Sequence, residues 1–173
     1  MSQNQCLEAY CANVVDAVML LYSKNLFEQL LIVVYTSIDT LGLIHSDKIQ
    51  TEADRETFKI WAEDYLSDTA AFEFTPDDLW LDRCKTLRAP ESLIGQCNKA
   101  RNIQFINEST QNIFIKAVME ATANDIGNQR VVVNIDDFVV YFLDAVLKFS
   151  KEYGKKVAAH EINIHHASKI LSA

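Results

Sequence analysis

Apolar side chains recur at helical spacing in the first part of the chain. Residues 4–24 place them on one broad face, and residues 26–44 are apolar on nearly all sides, which is typical of a central helix. Asn25 belongs to the residue types that cap helix N-termini, and Glu28 follows three positions later, as in a capping box. We therefore predict two long helices, the second capped by Asn25.

A third helix is predicted by apolar residues spaced three and four apart after a polar loop. Thr51, followed by Asp54 three residues later, signals its start. The predicted apolar face consists of Phe58, Trp61, Ala62, Tyr65 and Leu66. This helix should pack mainly through its aromatic side chains.

Residues 75–90, T-P-D-D-L-W-L-D-R-C-K-T-L-R-A-P, carry the signals of a short capped helix. Thr75 fits the N-cap, Pro76 fits the first helical position, and the two aspartates that follow suit the positive end of the helix dipole. Pro90 disfavours helical backbone at the residue before it. This fourth helix is expected to end near Arg88.

Short β-branched stretches appear in the second half of the chain. Residues 101–106 alternate apolar and polar positions, and residues 130–134 are rich in valine. Both are predicted strands of a two-stranded ribbon. The intervening residues 108–125 have helical spacing and predict a further helix.

A long helix is predicted over residues 135–153. Asn134 fits its N-cap, with Asp137 three positions later, and Gly154 suits its C-terminal cap. The tail 155–173 fits both a strand and a helical turn, so its structure stays open.

Composition supports a mainly helical protein. The chain has 173 residues, of which 49% are hydrophobic and 23% charged, with four Gly and two Pro. That is too little Gly and Pro for a disordered chain or a sandwich rich in turns. We predict one mainly α domain over residues 1–173, a bundle of five to six helices with a small two-stranded β ribbon.

The formal net charge is −8, which disfavours polyanion binding except at a local basic patch. Residues 83–101 contain five basic side chains and one acid, so this segment carries +4 and the rest of the chain −12. Four of the basic residues are candidates for an anion or phosphate site: Arg83, Lys85, Arg88 and Arg101. Helix C-termini favour cations even without a ligand, so a solvated helix end remains the alternative.

Asp39 is a carboxylate within the most apolar predicted helix, where it needs a partner. Arg55 and Arg83 are the candidates. One interpretation is a core ion pair that fixes helix register, and the other is that Asp39 orients an arginine towards a ligand.

The histidines near the C-terminus lack metal-ligand spacing. They occur in the cluster His160, Glu161, His165 and His166. Residues five apart diverge on a helix, and residues six apart on a strand lie about 20 Å apart. We therefore expect no metal site, and nothing in the sequence indicates a cofactor.

The four cysteines include no C-x-x-C pair, which predicts free thiols in a reducing cytoplasm. Cys84 is expected to be buried and unreactive. Acidic and hydroxyl side chains interrupt residues 26–44, which favours a buried core helix over a membrane span. We expect a cytoplasmic protein without membrane contact.

An ordered set of residues resembles bacterial helical proteins of the HEPN superfamily. The set is Y35-x-x-I-D39, R55-x-x-F-x-x-W61-x-x-x-Y65-L and D78-L-x-x-x-R83-C-x-x-L87, within residues 30–106. The resemblance implies a helical bundle and a homodimer. It also implies a motif of arginine, four to six residues and histidine, used for metal-independent RNA cleavage or, in non-catalytic members, for nucleotide binding.

Arg83 matches the motif arginine, but Arg88 stands where the histidine would follow after four residues. Arginine stays protonated, so it can bind phosphate but cannot exchange a proton near neutral pH. We therefore expect a non-catalytic, HEPN-like binding or regulatory module that is homodimeric and binds RNA or a nucleotide.

Two alternatives remain open. One is a metal-independent ribonuclease of the toxin or defence type with an altered site, in which a tail histidine such as His160 or His165 is the base. The other is a structural protein–protein interaction domain in which the arginines make only salt bridges.

Overall fold

The computed structural model describes residues 3–46, 52–66, 73–89, 94, 100–107 and 130–158. In this part of the chain the helices are α1 (Gln3–Ser23), α2 (Phe27–His45), α3 (Arg55–Leu66), α4 (Pro76–Thr86) and α5 (Ile135–Ala158), and the strands are β1 (Asn102–Ile106) and β2 (Arg130–Asn134). The predicted mainly α class with a small β element is confirmed. The predicted helix over 108–125 and the histidine cluster of the tail lie outside the described residues.

The chain divides into two compact units. One comprises Met1–Asp68 with Phe142–Ala173, and the other comprises Thr69–Tyr141. The first contains α1, α2, α3 and most of α5, and the second contains α4, both strands and the start of α5. No Gly- or Pro-rich linker occurs at either boundary, and the single domain over residues 1–173 stays a prediction.

Asn25 ends α1 and does not start α2. Its φ is 55°, its N–H donates to the Tyr22 carbonyl at 3.0 Å, and the Leu26 N–H donates to the Leu21 carbonyl at 3.0 Å. This pair of bonds is a Schellman motif. The N-cap of α2 is Leu26, without a side-chain cap bond, so the predicted Asn25 N-cap is wrong. Asparagine suits both the N-cap and the left-handed position after a helix, and here the second preference prevails.

Asp54 caps α3. Its Oδ1 accepts from the Thr57 N–H at 2.9 Å, and its own N–H donates to Thr57 Oγ1 at 3.2 Å, a reciprocal capping box. The helix therefore starts after Asp54, later than the signal at Thr51, a residue outside the described ranges. The predicted apolar face of α3 is confirmed, since all five of its residues are buried.

The C-terminal part of α2 is buried on all sides, since the consecutive residues 41–44 are all buried. Nearer the N-terminus of the helix, Leu30 and Val34 are fully buried, whereas Ile32 is 41% exposed. The helix is therefore a core helix mainly over its C-terminal part. A Cβ at Gly42 would lie 2.5 Å from the Thr57 carbonyl oxygen, far inside van der Waals contact. Glycine is therefore required for this approach of α2 and α3.

Aromatic rings fill the core of the first unit where α3 meets α5. The Trp61 ring lies 5.3 Å from Tyr65, 6.4 Å from Phe142 and 6.2 Å from Phe149, measured between centroids. These offset and edge-to-face geometries are favourable for aromatic pairs. The prediction that α3 packs through its aromatic side chains is confirmed.

The predicted start of α5 is confirmed and its predicted end is wrong. Asn134 Oδ1 accepts from the Asp136 N–H at 2.8 Å, as expected of an N-cap. The helix continues through Gly154 to Ala158, so Gly154 is an interior residue and not a cap. An interior glycine costs about 1 kcal/mol relative to alanine, too little to end a helix that is otherwise well packed.

Two helical segments are long and apolar enough to cross a bilayer, judged by length and composition alone. They are Gln5–Ser23 and Phe27–His45, of which 22% and 50% are buried in the structure. Core helices of soluble proteins pass the same test. Half-burial of α2 agrees with its interpretation as a core helix.

Candidate anion-binding site

The predicted N-terminal cap of α4 is confirmed. The Asp78 N–H donates to Thr75 Oγ1 at 3.3 Å, and the Thr75 N–H donates to Asp78 Oδ2 at 2.9 Å. Pro76 occupies the first turn, where its missing N–H is not needed. The capping carboxylate is buried, because Asp78 is only 1% exposed.

Arg101 neutralises this buried carboxylate. Its backbone N–H donates to Asp78 Oδ1 at 2.6 Å, and its Nε and Nη2 reach Asp78 Oδ2 at 3.2 and 2.8 Å. Nη2 also donates to the Glu73 carbonyl. The pair ties the start of β1 to the start of α4. Arg101 was predicted as an anion-site cation, but the structure directs Nε and Nη2 to partners within the protein.

The C-terminal end of α4 is also a Schellman motif. The Arg88 N–H donates to the Lys85 carbonyl at 3.1 Å, and the Ala89 N–H donates to the Cys84 carbonyl at 2.8 Å. This geometry puts Arg88 at a φ of 53°, a left-handed conformation that costs a residue with a Cβ about 1–2 kcal/mol. The helix ends as predicted, two residues before Arg88, whose side chain is exposed.

Arg83 is half-buried on the last turns of α4. Its guanidinium carbon lies 4.8 Å from the centroid of the Trp80 ring, a cation–π arrangement. The neighbouring Cys84 is fully buried, which confirms the predicted buried cysteine. Arg83 therefore contacts an aromatic ring of its own helix.

β1 and β2 pair in parallel, which confirms the predicted two-stranded ribbon. Asn102 pairs with Arg130, and Gln104 pairs with Val132. Because side chains alternate across a strand, these four share one face of the sheet. The opposite face carries buried apolar side chains, with Phe105 lying 5.0 Å from Phe138 of α5.

Next to the polar face is an open groove of about 460 Å³. The described residues that line it are Lys85, Asn102, Ile103, Gln104 and Arg130. Lys85 Nζ donates to Asn102 Oδ1, and both Lys85 and Arg130 are exposed. Two cations and two carboxamides thus line the groove, with no carboxylate among these five residues.

Of the four predicted anion-site cations, Lys85 alone is among the described residues that line the groove. Asn102, Gln104 and Arg130 were not predicted. Arg130 is 45 positions beyond Lys85 in the chain, and the register that pairs it with Asn102 cannot be read from sequence. The alternation of 102–106 was visible, and it could have assigned Asn102 and Gln104 to one face.

Asp39 and Arg55, the predicted supporting residues, belong to the first unit. Asp39 is half-buried on α2, and Arg55 is the first residue of α3. Arg83 belongs to the second unit. The choice of arginine partner for Asp39 stays a prediction.

The titratable groups with clearly shifted pKa values hold their protons at neutral pH. Burial raises the pKa of the Cys11 thiol to about 11. Burial, together with a hydrogen bond from its hydroxyl to Glu152, raises the pKa of Tyr65 well above its ordinary range. Neither group can serve as a general base near pH 7.

His45 is the one histidine among the described residues. Its Nε2 lies 2.6 Å from Asp64 Oδ2, and its ring packs edge-on against Tyr65 and Phe149. Within the described ranges, no group of three or more His, Cys, Asp or Glu residues could hold a metal ion.

The chain has no match among protein-family models, curated proteins or solved structures. The resemblance to HEPN proteins therefore stays a prediction from the residues quoted above. The cations and carboxamides of the groove together favour an anion that also offers hydrogen-bonding groups.

Proposed function

We propose that this protein is a non-catalytic binding or regulatory module that holds a phosphate-bearing ligand, an RNA or a nucleotide, in the groove between α4 and the sheet. The observation that carries the proposal is the juxtaposition of Lys85 and Arg130 in one groove whose described lining contains no carboxylate. In a chain with a net charge of −8, such a local cationic surface attracts phosphate against the overall field.

The lining chemistry supports binding without catalysis. The polar side-chain groups of the described residues that line the groove are one ammonium, one guanidinium and two carboxamides, and none of these groups acts as a general base. RNA cleavage through the 2′-hydroxyl needs a group that exchanges a proton near neutrality. The ribonuclease alternative would therefore require a base from outside these residues.

Fluorescence anisotropy with a short single-stranded RNA tests the binding proposal. If roughly two phosphates are neutralised, affinity should fall about sevenfold between 50 and 200 mM salt. The double substitution Lys85→Gln and Arg130→Gln should abolish binding. The matched control, Lys151→Gln and Lys155→Gln, removes two exposed cations of α5 and should bind as the parent does. Equal binding by both double variants would refute the proposal.

The same RNA, incubated with and without EDTA, tests the ribonuclease alternative. Cleavage by the parent that is lost in Arg83→Ala would establish an enzyme and overturn the non-catalytic proposal. A homodimer, implied by the HEPN resemblance, is part of the proposal. A light-scattering mass of 19.6 kDa at micromolar protein would exclude it.

A further inference from the structure

Along the strands, the side chains of the groove and of the sheet face beside it change from charged to apolar. At the start of the strands, Asn102 and Arg130 are paired, and Lys85 contacts Asn102, so positive charge is concentrated there. At the next pair on the same face, two residues further along, Gln104 lies beside Val132, an apolar residue that is 43% exposed. The two pairs are about 6.6 Å apart along the strands.

From this gradient we infer that the ligand is a nucleoside phosphate, with its phosphate at Lys85 and Arg130 and its base over Gln104 and Val132. The inference rests on the proposed function of the groove and assigns the class of ligand. A guanidinium and an ammonium suit a phosphate. The carboxamide of Gln104 presents a donor and an acceptor side by side, which match the paired donor and acceptor on the edge of a base.

The exposed Val132 adds an apolar surface where the flat face of a base can lie. An acidic peptide would use the two cations equally well, and its backbone could also hydrogen-bond to the carboxamide. It would not present a planar ring to the exposed valine. The juxtaposition of Gln104 and Val132 with the cationic end therefore favours a nucleotide over a peptide.

Calorimetric titration tests the inference with four probes: inorganic phosphate, ribose 5-phosphate, AMP and UMP. At least one nucleotide should bind roughly tenfold more tightly than ribose 5-phosphate, the factor expected of a base-edge contact. In Gln104→Ala this advantage should fall to about twofold or less, while the affinity for ribose 5-phosphate is retained. Gln104→Met, which keeps the side-chain length without hydrogen-bonding groups, should behave in the same way and serves if the alanine variant does not fold.

The outcomes separate the inference from the function on which it rests. If ribose 5-phosphate binds as tightly as both nucleotides, the inference is overturned and the phosphate groove stands. If a nucleotide advantage persists in both Gln104 variants, the assigned position of the base is wrong. If none of the four probes and no RNA binds, while an acidic peptide does, both the inference and the proposed function fail.

Discussion

Substitution of Arg101 by alanine tests whether this cation of the basic segment stabilises the fold or binds the ligand. The guanidinium lies against Asp78, whose side chain is 2% exposed. Removal of Arg101 leaves this carboxylate buried, although the N–H groups of Thr75 and residue 101 still donate to it. The change should therefore act on folding and not on the groove.

The expected loss follows from the burial of the pair. Removing one partner of a buried ion pair costs about 3–5 kcal/mol. Because the Arg101 side chain is 28% exposed, water can approach, and two backbone donors remain, so we expect about 3 kcal/mol. For a chain of this size, 1 kcal/mol shifts the Tm by about 2–4 °C, so the Tm should fall by roughly 9 °C.

Thermal unfolding followed by circular dichroism measures the loss, and RNA anisotropy well below the Tm measures binding. Lys85→Gln is the matched control. It removes an exposed cation of the groove and should change stability by no more than about 0.5 kcal/mol while weakening RNA binding. An unchanged Tm for Arg101→Ala would refute the structural role of Arg101. A loss of RNA affinity as large as that of Lys85→Gln would place Arg101 in the anion site.

Three further substitutions test other features. Gly42→Ala forces a Cβ against the Thr57 backbone and should cost at least about 2 kcal/mol in urea unfolding, whereas a neutral effect would show that α2 and α3 separate easily. Cys11 has a folded pKa of about 11, above its ordinary value of 9.0, so the stability it contributes is present below pH 9 and is lost as pH rises to 11. Cys11→Ala should flatten the fall in unfolding free energy over that window, and an identical profile would disprove its role. Arg88→Gly relieves the left-handed strain and should stabilise by about 1 kcal/mol. Lys85→Gly, within the same helix, should destabilise, and a loss in both variants would contradict the strain argument.

Helix ends were predicted correctly where the residue types at a position favour only one structural role. The cap at Thr75 was correct because threonine, proline and aspartate there agree on one helix start. The assignments of Asn25 and Gly154 failed because each residue suits two roles. Asparagine fits a helix start or a left-handed end, and an interior glycine costs less than the packing of α5 against its neighbours provides.

The sequence alone could not predict which residues line the groove, because the pairing register of two strands distant in the chain brings them together. The basic segment correctly pointed to the end of α4, since Lys85 lies there. It could not show that Arg101 forms an ion pair with Asp78, because an arginine at that position is consistent both with an ion pair and with a ligand site. Only the pairing of Asn102 with Arg130 brings the second cation to the groove.

Arg130 is stronger evidence for an anion site than Lys85. Lys85 occupies the last turn of α4, where the negative end of the helix dipole stabilises any cation by about 0.3–1 kcal/mol without a ligand. Arg130 lies on a strand, which has only a small net dipole, so no such local effect accounts for its charge. The helix end also offsets part of the Lys85 charge, because its carbonyls repel the same phosphate that Lys85 attracts. Arg130→Gln alone should therefore weaken RNA binding more than Lys85→Gln alone, and the reverse order would show that the ligand lies against the helix end and not across the sheet.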